Sequence, residues 1–386
     1  MRLTRLRSQG ALTAILSLTV FTFAFADGFF GGLLDVCGPR FSYDGRSPLE
    51  LLAPPRTTRQ PGSATNAVRY WNQVTLDANA IDHTPPGPDE SRVFGEQLGP
   101  GRTALAFAIV HVAIFEAVNA VTGGYTSYTG LEPAPAGTSI EAAVAQAAHD
   151  TLAAEYPSQA PRFDDLLAND LAQLPDDDAK QSGIDLGGRA AASILALRVD
   201  DGSQYQEPRL GEDFFTSDEP GKWRQDPIAQ SPLALGAYWG SVTPLVLSWS
   251  GQFRAPAPPA LTSTSYTVAF NEVKQVGGDG VTTPTLRLPD QTFAAIYWGY
   301  DGTPGLGTPP RMFNQIVVQL ATARGSTVAQ LARLLALVNV AMADAGIACW
   351  ESKFYYQFWR PVTAIRESDY TLSLHDALPI YRKSVV

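Results

Sequence analysis

The sequence predicts an all-α fold, a bundle of helices, and three observations carry that prediction. From about residue 66 onward, apolar residues recur at three- and four-residue spacing through one stretch after another. Clusters of proline, glycine and aspartate such as PPGPDE and LPDDD separate these stretches and supply helix stops and caps. No alternating apolar and polar strand series occurs, and no internal repeat, so the apolar faces must be buried helix against helix. With 386 residues and 45% of them hydrophobic, the chain has ample material for a core.

The chain opens with MRLTRLRSQG and then ALTAILSLTVFTFAFA, ending in the small-x-small triplet Ala24-Phe25-Ala26. A basic start, a short apolar run and such a triplet read as a secretory signal peptide over residues 1–26, so export, secreted or periplasmic, is expected. The run is shorter than the ~20 residues a membrane span requires. No later segment reads as long and apolar enough to cross a bilayer. Loss of Arg2, Arg5 and Arg7 with that peptide would take the net charge of −10 to about −13. A surface this acidic repels nucleic acid and anionic membranes and excludes them as bulk partners. With Cys37 and Cys349 as the only cysteines, no disulfide framework is available; Cys349 lies in a helical pattern and is expected to pack as a small apolar residue.

Residues 27–64, rich in Gly, Pro and Arg, read as an irregular leader. Helices are expected over 66–80, 103–121, 139–155, 160–174 and 179–198. Residues 200–262 break the rhythm with prolines and aromatics, and a loop this long and aromatic is expected to cover one end of the bundle. Helices resume near 263–276, 291–298 and 310–324. At Thr327 a capping box with Gln330 opens the best-formed helix, with a core stripe expected at Leu331, Leu334, Leu335, Val338, Ala341, Met342, Ala345 and Cys349.

That helix runs into WESKFYYQFWRPVTAIR, residues 350–366, in which Lys353 and Arg360 stand seven apart with no carboxylate between them. On a continuous helix the two would share one face, about 10 Å apart along the axis, and could converge on one tetrahedral oxyanion. Arginine offers a planar fork and lysine a point charge, a pairing suited to phosphate. Pro361 is expected to end the helix at Arg360. The spacing alone also fits a solvated cationic pair, or ion pairs to Glu351 and Glu367. Asp344 and Glu351 flank the lysine on its own helix, placed either to orient it or simply to face solvent.

The same stretch resembles the first half of the active-site signature of the vanadium-dependent haloperoxidase and type 2 phosphatidic acid phosphatase superfamily: a lysine, six residues, then Arg-Pro, with Trp350 before and Thr363 to Arg366 after. The segments 104–125, 239–261, 270–278, 288–302 and 331–350 are similar to its secreted haloperoxidase-like branch, so the resemblance covers about residues 66–366. It implies a helical bundle of that type and makes Lys353 and Arg360 the first two ligands of a bound vanadate or phosphate. In a complete relative, vanadate and hydrogen peroxide would oxidise halide. The runner-up is an acid phosphatase cleaving phosphomonoesters through a phosphohistidine, and a third reading is an exported scaffold without catalysis.

The family pattern continues into Ser-Gly-His and later an arginine and the axial histidine, none of which follows Arg366 here. Residues 371–380, TLSLHDALPI, look like a translated sequencing adapter, so 65–370 is expected to be the first part of the helical domain, incomplete at its C-terminus, and 371–386 a non-native tail. No metal ligand set is present, and the spacing of Ser373, His375 and Asp376 does not make a triad. His111 and His149 are expected as hydrogen-bonded packing residues and His83 in a loop, while Asp176 to Asp178 and Asp200-Asp201 read as caps and solvated turns.

Overall fold

The structure is a computed structural model that describes residues 62–88, 90–280 and 283–374. The signal-peptide and most of the leader assignments, Cys37, His375, Asp376 and nearly all of the adapter-like tail lie outside the described residues.

All regular structure among the described residues is helical. The helices are α1 (Ala64–Asp82), α2 (Gly99–Thr122), α3 (Ile140–Glu155), α4 (Ala160–Leu171), α5 (Asp178–Arg198), α6 (Thr264–Val276), α7 (Pro289–Trp298), α8 (Pro310–Ala323), α9 (Val328–Tyr356) and α10 (Pro361–Leu374). Their starts follow the expected chemistry. The side chains of Ser63, Ser139 and Asp177 accept the backbone N–H groups of Asn66, Ala142 and Lys180, and Thr327 with Gln330 forms the reciprocal capping box. The side chain of the second acidic run behaves differently. Asp201 is buried and pairs with Arg198 rather than facing solvent.

Helix α2 is the central post. It is apolar all round and is enclosed by α3, α5 and α9, with α1 also against it. One core cluster joins Trp71, Val110, Ile114, Leu152, Phe163 and Leu335; a second joins Leu105, Ile109, Leu186, Ile194, Trp239 and Ile347. Contrary to the sequence expectation, α2 and α9 are each long and apolar enough to cross a bilayer; α2 spends nearly all of that surface inside the bundle, α9 less than half. Buried amides tie the posts together. Asn314 and Asn339 exchange side-chain hydrogen bonds of 2.9 and 2.8 Å between α8 and α9.

The expected packing histidines take three different places. His111 is fully enclosed on α2 with no hydrogen-bond partner at either ring nitrogen, which corrects its expected hydrogen bonding, and burial drives its pKa down to about 3. His149 bonds Asp150 at 2.7 Å and Asp164 at 2.8 Å, linking α3 to α4, and these carboxylates raise its pKa. His83 terminates α1 and accepts the Gly99 N–H at 3.0 Å, so it is a buried cap rather than a loop residue.

The closest helix crossing is α3 against α5. A Cβ built on Gly187 would stand 2.5 Å from the Ala143 carbonyl oxygen and 2.6 Å from the Gln146 Cβ. In an open helix Gly→Ala gains about 1 kcal/mol. Here backbone must move, which costs roughly 1–3 kcal/mol or more. Gly187→Ala is therefore expected to lower stability, by about 1 kcal/mol or more, in urea unfolding; an unchanged or raised midpoint would show that the two helices are not held this close.

Candidate anion site at the end of α9

Helix α9 carries apolar residues on more than one side, which hides its true inner face from periodicity. Leu331, Leu335, Ala343 and Ile347 are buried. Leu334, Ala341, Ala345 and Cys349 from the expected stripe are exposed, so the buried stripe is rotated from the one expected and Cys349 is not a packing residue.

The helix also stops sooner than expected. It ends at Tyr356, and Gln357 takes the left-handed conformation with φ +46°. Lys353 and Arg360 are therefore not on one face of a single helix. Lys353 lies in the last turn of α9, where its carbonyl accepts the Gln357 N–H, and Arg360 precedes α10, where its carbonyl accepts the Ala364 N–H. Pro361 is the first residue of α10, so the proline opens a helix rather than closing one.

The connector between the two cations is held from outside. The Trp223 N–H donates to the Gln357 carbonyl at 2.6 Å, the Trp359 N–H donates to the Gly221 carbonyl at 3.0 Å, and Lys222 bridges Phe358. Side chains reinforce this clamp. Phe354 packs edge-on against Phe214 and Trp223, and the Trp359 indole donates to the Tyr266 hydroxyl. The long irregular segment thus lies along the C-terminal half of α9. It does so again at Gly236, whose φ of +77° and missing side chain let the Trp350 indole lie directly upon it.

Both carboxylates that sequence offered as partners are taken by other arginines. Glu351 pairs with Arg254, which also stacks on Tyr355 at 3.5 Å, and Glu367 pairs with Arg224 at 3.0 Å. Asp344 does not orient the lysine either. It is buried and accepts three successive backbone N–H groups, from Leu245, Val246 and Leu247, at 2.6, 2.8 and 2.9 Å. Among the described residues neither Lys353 nor Arg360 makes an ion pair, and both are exposed.

What surrounds them is aromatic or acts at longer range. The Lys353 ammonium lies 3.8 Å from the centroid of the Trp350 ring. Asp301, absent from the sequence-based candidates because nothing in its local pattern marks it, keeps contact with solvent, yet desolvation raises its pKa while the Lys353 charge pulls it back. Asp226 is held low first by the Ala229 N–H, then by the Ile228 N–H and the Arg360 charge. Arg360 moreover stands at the positive end of the α10 dipole, where a second positive charge is unfavourable unless an anion is shared.

Two unpaired cations on one clamped connector would suit the oxygens of a phosphate- or vanadate-type anion. No histidine among the described residues joins them, because His83, His111 and His149 are all committed to the bundle interior or to α4. No cluster of metal ligands forms among the described residues.

A family model described as "VCPO second helical-bundle domain" matches residues 333–374, the stretch that holds Lys353 and Arg360. Through this stretch and the likenesses below, the chain is similar to proteins of the vanadium haloperoxidase superfamily. It is 27% identical over 362 residues to vanadium chloroperoxidase of Curvularia inaequalis, an alignment covering 78% of this chain. The chain spans 57% of that relative's length. The fold is also that of the crystal structure of a bacterial vanadium-dependent iodoperoxidase, with a TM-score of 0.65 at 20% identity, covering 80% of this chain and 74% of the other. Residues 357–359 lie within the matched stretch, and the segment 221–223 that clamps them lies outside it.

Asp344 ties residues 245–247 of the irregular segment to α9. Removing a carboxylate that caps three N–H groups costs roughly 1.5–3 kcal/mol per charged hydrogen bond at most, with partial relaxation at the half-exposed end. Asp344→Ala is expected to lose about 3 kcal/mol and to speed hydrogen exchange at Val246 and Leu247, with protection on α2 unchanged at fixed stability. Uniform loss of protection would show that the carboxylate holds the whole bundle instead.

Proposed function

We propose that this chain carries the cationic half of a vanadium-dependent haloperoxidase site, with Lys353 and Arg360 as ligands of a vanadate or phosphate oxyanion. The observation behind this reading is that among the described residues neither cation has a carboxylate ion-pair partner, although Glu351 and Glu367 lie close in sequence and each is paired elsewhere. In a protein surface this acidic, two such cations on a clamped connector are best explained by an anion that neutralises them.

Bound vanadate supplies the peroxide-activating centre that turns halide into hypohalous acid. The chain's own part is narrower. The Arg360 guanidinium and the Lys353 ammonium would hold the oxyanion through charged hydrogen bonds and would offset its negative charge. Trp350 limits the directions the lysine can take. No histidine among the described residues is placed to complete the site, so hydrogen peroxide and halide would be substrates of a complete site, and the cationic half alone is expected to be inactive. The reading includes export, with residues 1–26 as signal peptide; the exported protein should begin at Asp27 in N-terminal sequencing, and retention of Met1 would remove that element.

Titration with orthovanadate should show weak saturable binding that Lys353→Ala and Arg360→Ala each reduce about tenfold, as expected for loss of one charged hydrogen bond of roughly 1.5–3 kcal/mol. Binding that is indifferent to both substitutions would reject the assignment. Vanadate-dependent bromide oxidation by this chain would reject the half-site reading, and phosphomonoester hydrolysis without it would transfer the same pair to phosphatase chemistry.

A further inference from the structure

A second concavity lies at the opposite end of α9, twenty residues or about 30 Å along the helix from Lys353. It is a cavity of about 530 Å³ between α2, the loop after it and α9, with Val112, Phe115, Tyr125, Leu337, Val340 and Arg333 in its walls. That volume is in the range of small-molecule sites; the α2 and α9 walls are mainly apolar, and the loop adds Thr126, Ser127 and Tyr128.

The walls are fixed before any ligand arrives. Buried Glu116 accepts the Ser127 hydroxyl and, at 2.6 Å, the Tyr128 N–H. Asn119 brackets Tyr125, donating to its carbonyl at 3.0 Å and accepting its N–H at 3.2 Å. The Tyr128 hydroxyl donates to the Leu245 carbonyl at 2.7 Å, in the segment that Asp344 already caps. A loop tied at four points loses little freedom when a ligand enters.

The one charged residue of the lining is Arg333. Its guanidinium carbon lies 4.9 Å from the Tyr125 ring centroid, and among the described residues no carboxylate pairs with it. The nearest acid in the wall's framework, Glu116, is consumed by the loop. A guanidinium stacked on a tyrosine keeps its N–H edge for a planar, bidentate partner, and a carboxylate has that geometry. The apolar side chains of α2 and α9 and the exposed ring of Tyr125 suit a flat aromatic body.

We propose that this cavity binds an aromatic carboxylate, with the ring between Phe115, Leu337 and Val340 and the carboxylate on Arg333.

The test is calorimetric titration of the full chain with 2-naphthoate and with its neutral counterpart 2-naphthylmethanol. Saturable binding of one 2-naphthoate is expected, at least tenfold tighter than the alcohol. Arg333→Gln, at an exposed position, should bring the carboxylate to the alcohol's affinity and leave the alcohol unchanged. Leu337→Glu, also exposed, should weaken the carboxylate more than the alcohol by placing a like charge in the wall. The proposal is overturned if 2-naphthoate does not saturate, if the two ligands bind equally, or if the preference for the carboxylate survives Arg333→Gln.

Discussion

The geometry of the candidate anion site depends on the pairing of two short backbone runs, 221–223 with 357–359. A single left-handed residue at Gln357 permits many angles between α9 and α10. Three contacts hold the connector itself, the Trp223 and Gly221 backbone bonds and the Lys222 bridge, while α10 also packs on α6 through Ala364 and Phe270. They also explain the aromatic run around Lys353. Phe354 and Trp359 are anchors for the clamp on two different sides, toward Phe214 and Trp223 in one case and Tyr266 in the other. The cations are displayed by this framework without belonging to it.

Much of the fold was legible because its local signals agree with its packing. Helix starts with a Ser, Thr or Asp cap fell within a residue or two of their expected places, as at Ser139 and Thr327. What stayed hidden has a common origin in long-range partners. The inner face of α9 could not be read because Leu334 and Leu335, or Ala341 and Ala343, are equally apolar, and only the neighbouring α2 decides between them. The helix end at Tyr356 is imposed by residues more than a hundred positions earlier in the chain, so Pro361 was read as the stop signal when it was the start of the next helix.

The candidate site shows the same division. Lys353 and Arg360 stood out by type and spacing, together with the signature around them. Their isolation from Glu351 and Glu367 did not, because it rests on Arg254 and Arg224, whose own positions come from the irregular segment. Asp344 is the clearest reversal: a carboxylate nine residues from the lysine on the same helix turned out to hold a loop through three N–H groups. Asp301 approaches the lysine through space with no sequence signal at all.

The outward side of α9 has one further consequence. Leu334, Leu337, Ala341, Ala345 and Cys349 form a continuous apolar strip in contact with water, and Lys353 continues the same line. Any element that shelters the strip must also dehydrate the ammonium, and an unneutralised charge resists dehydration strongly. An oxyanion on Lys353 removes that resistance, and shelter in turn strengthens the attraction between them by lowering the local dielectric. Covering the strip and holding the anion are therefore thermodynamically linked, each favouring the other by the same free energy.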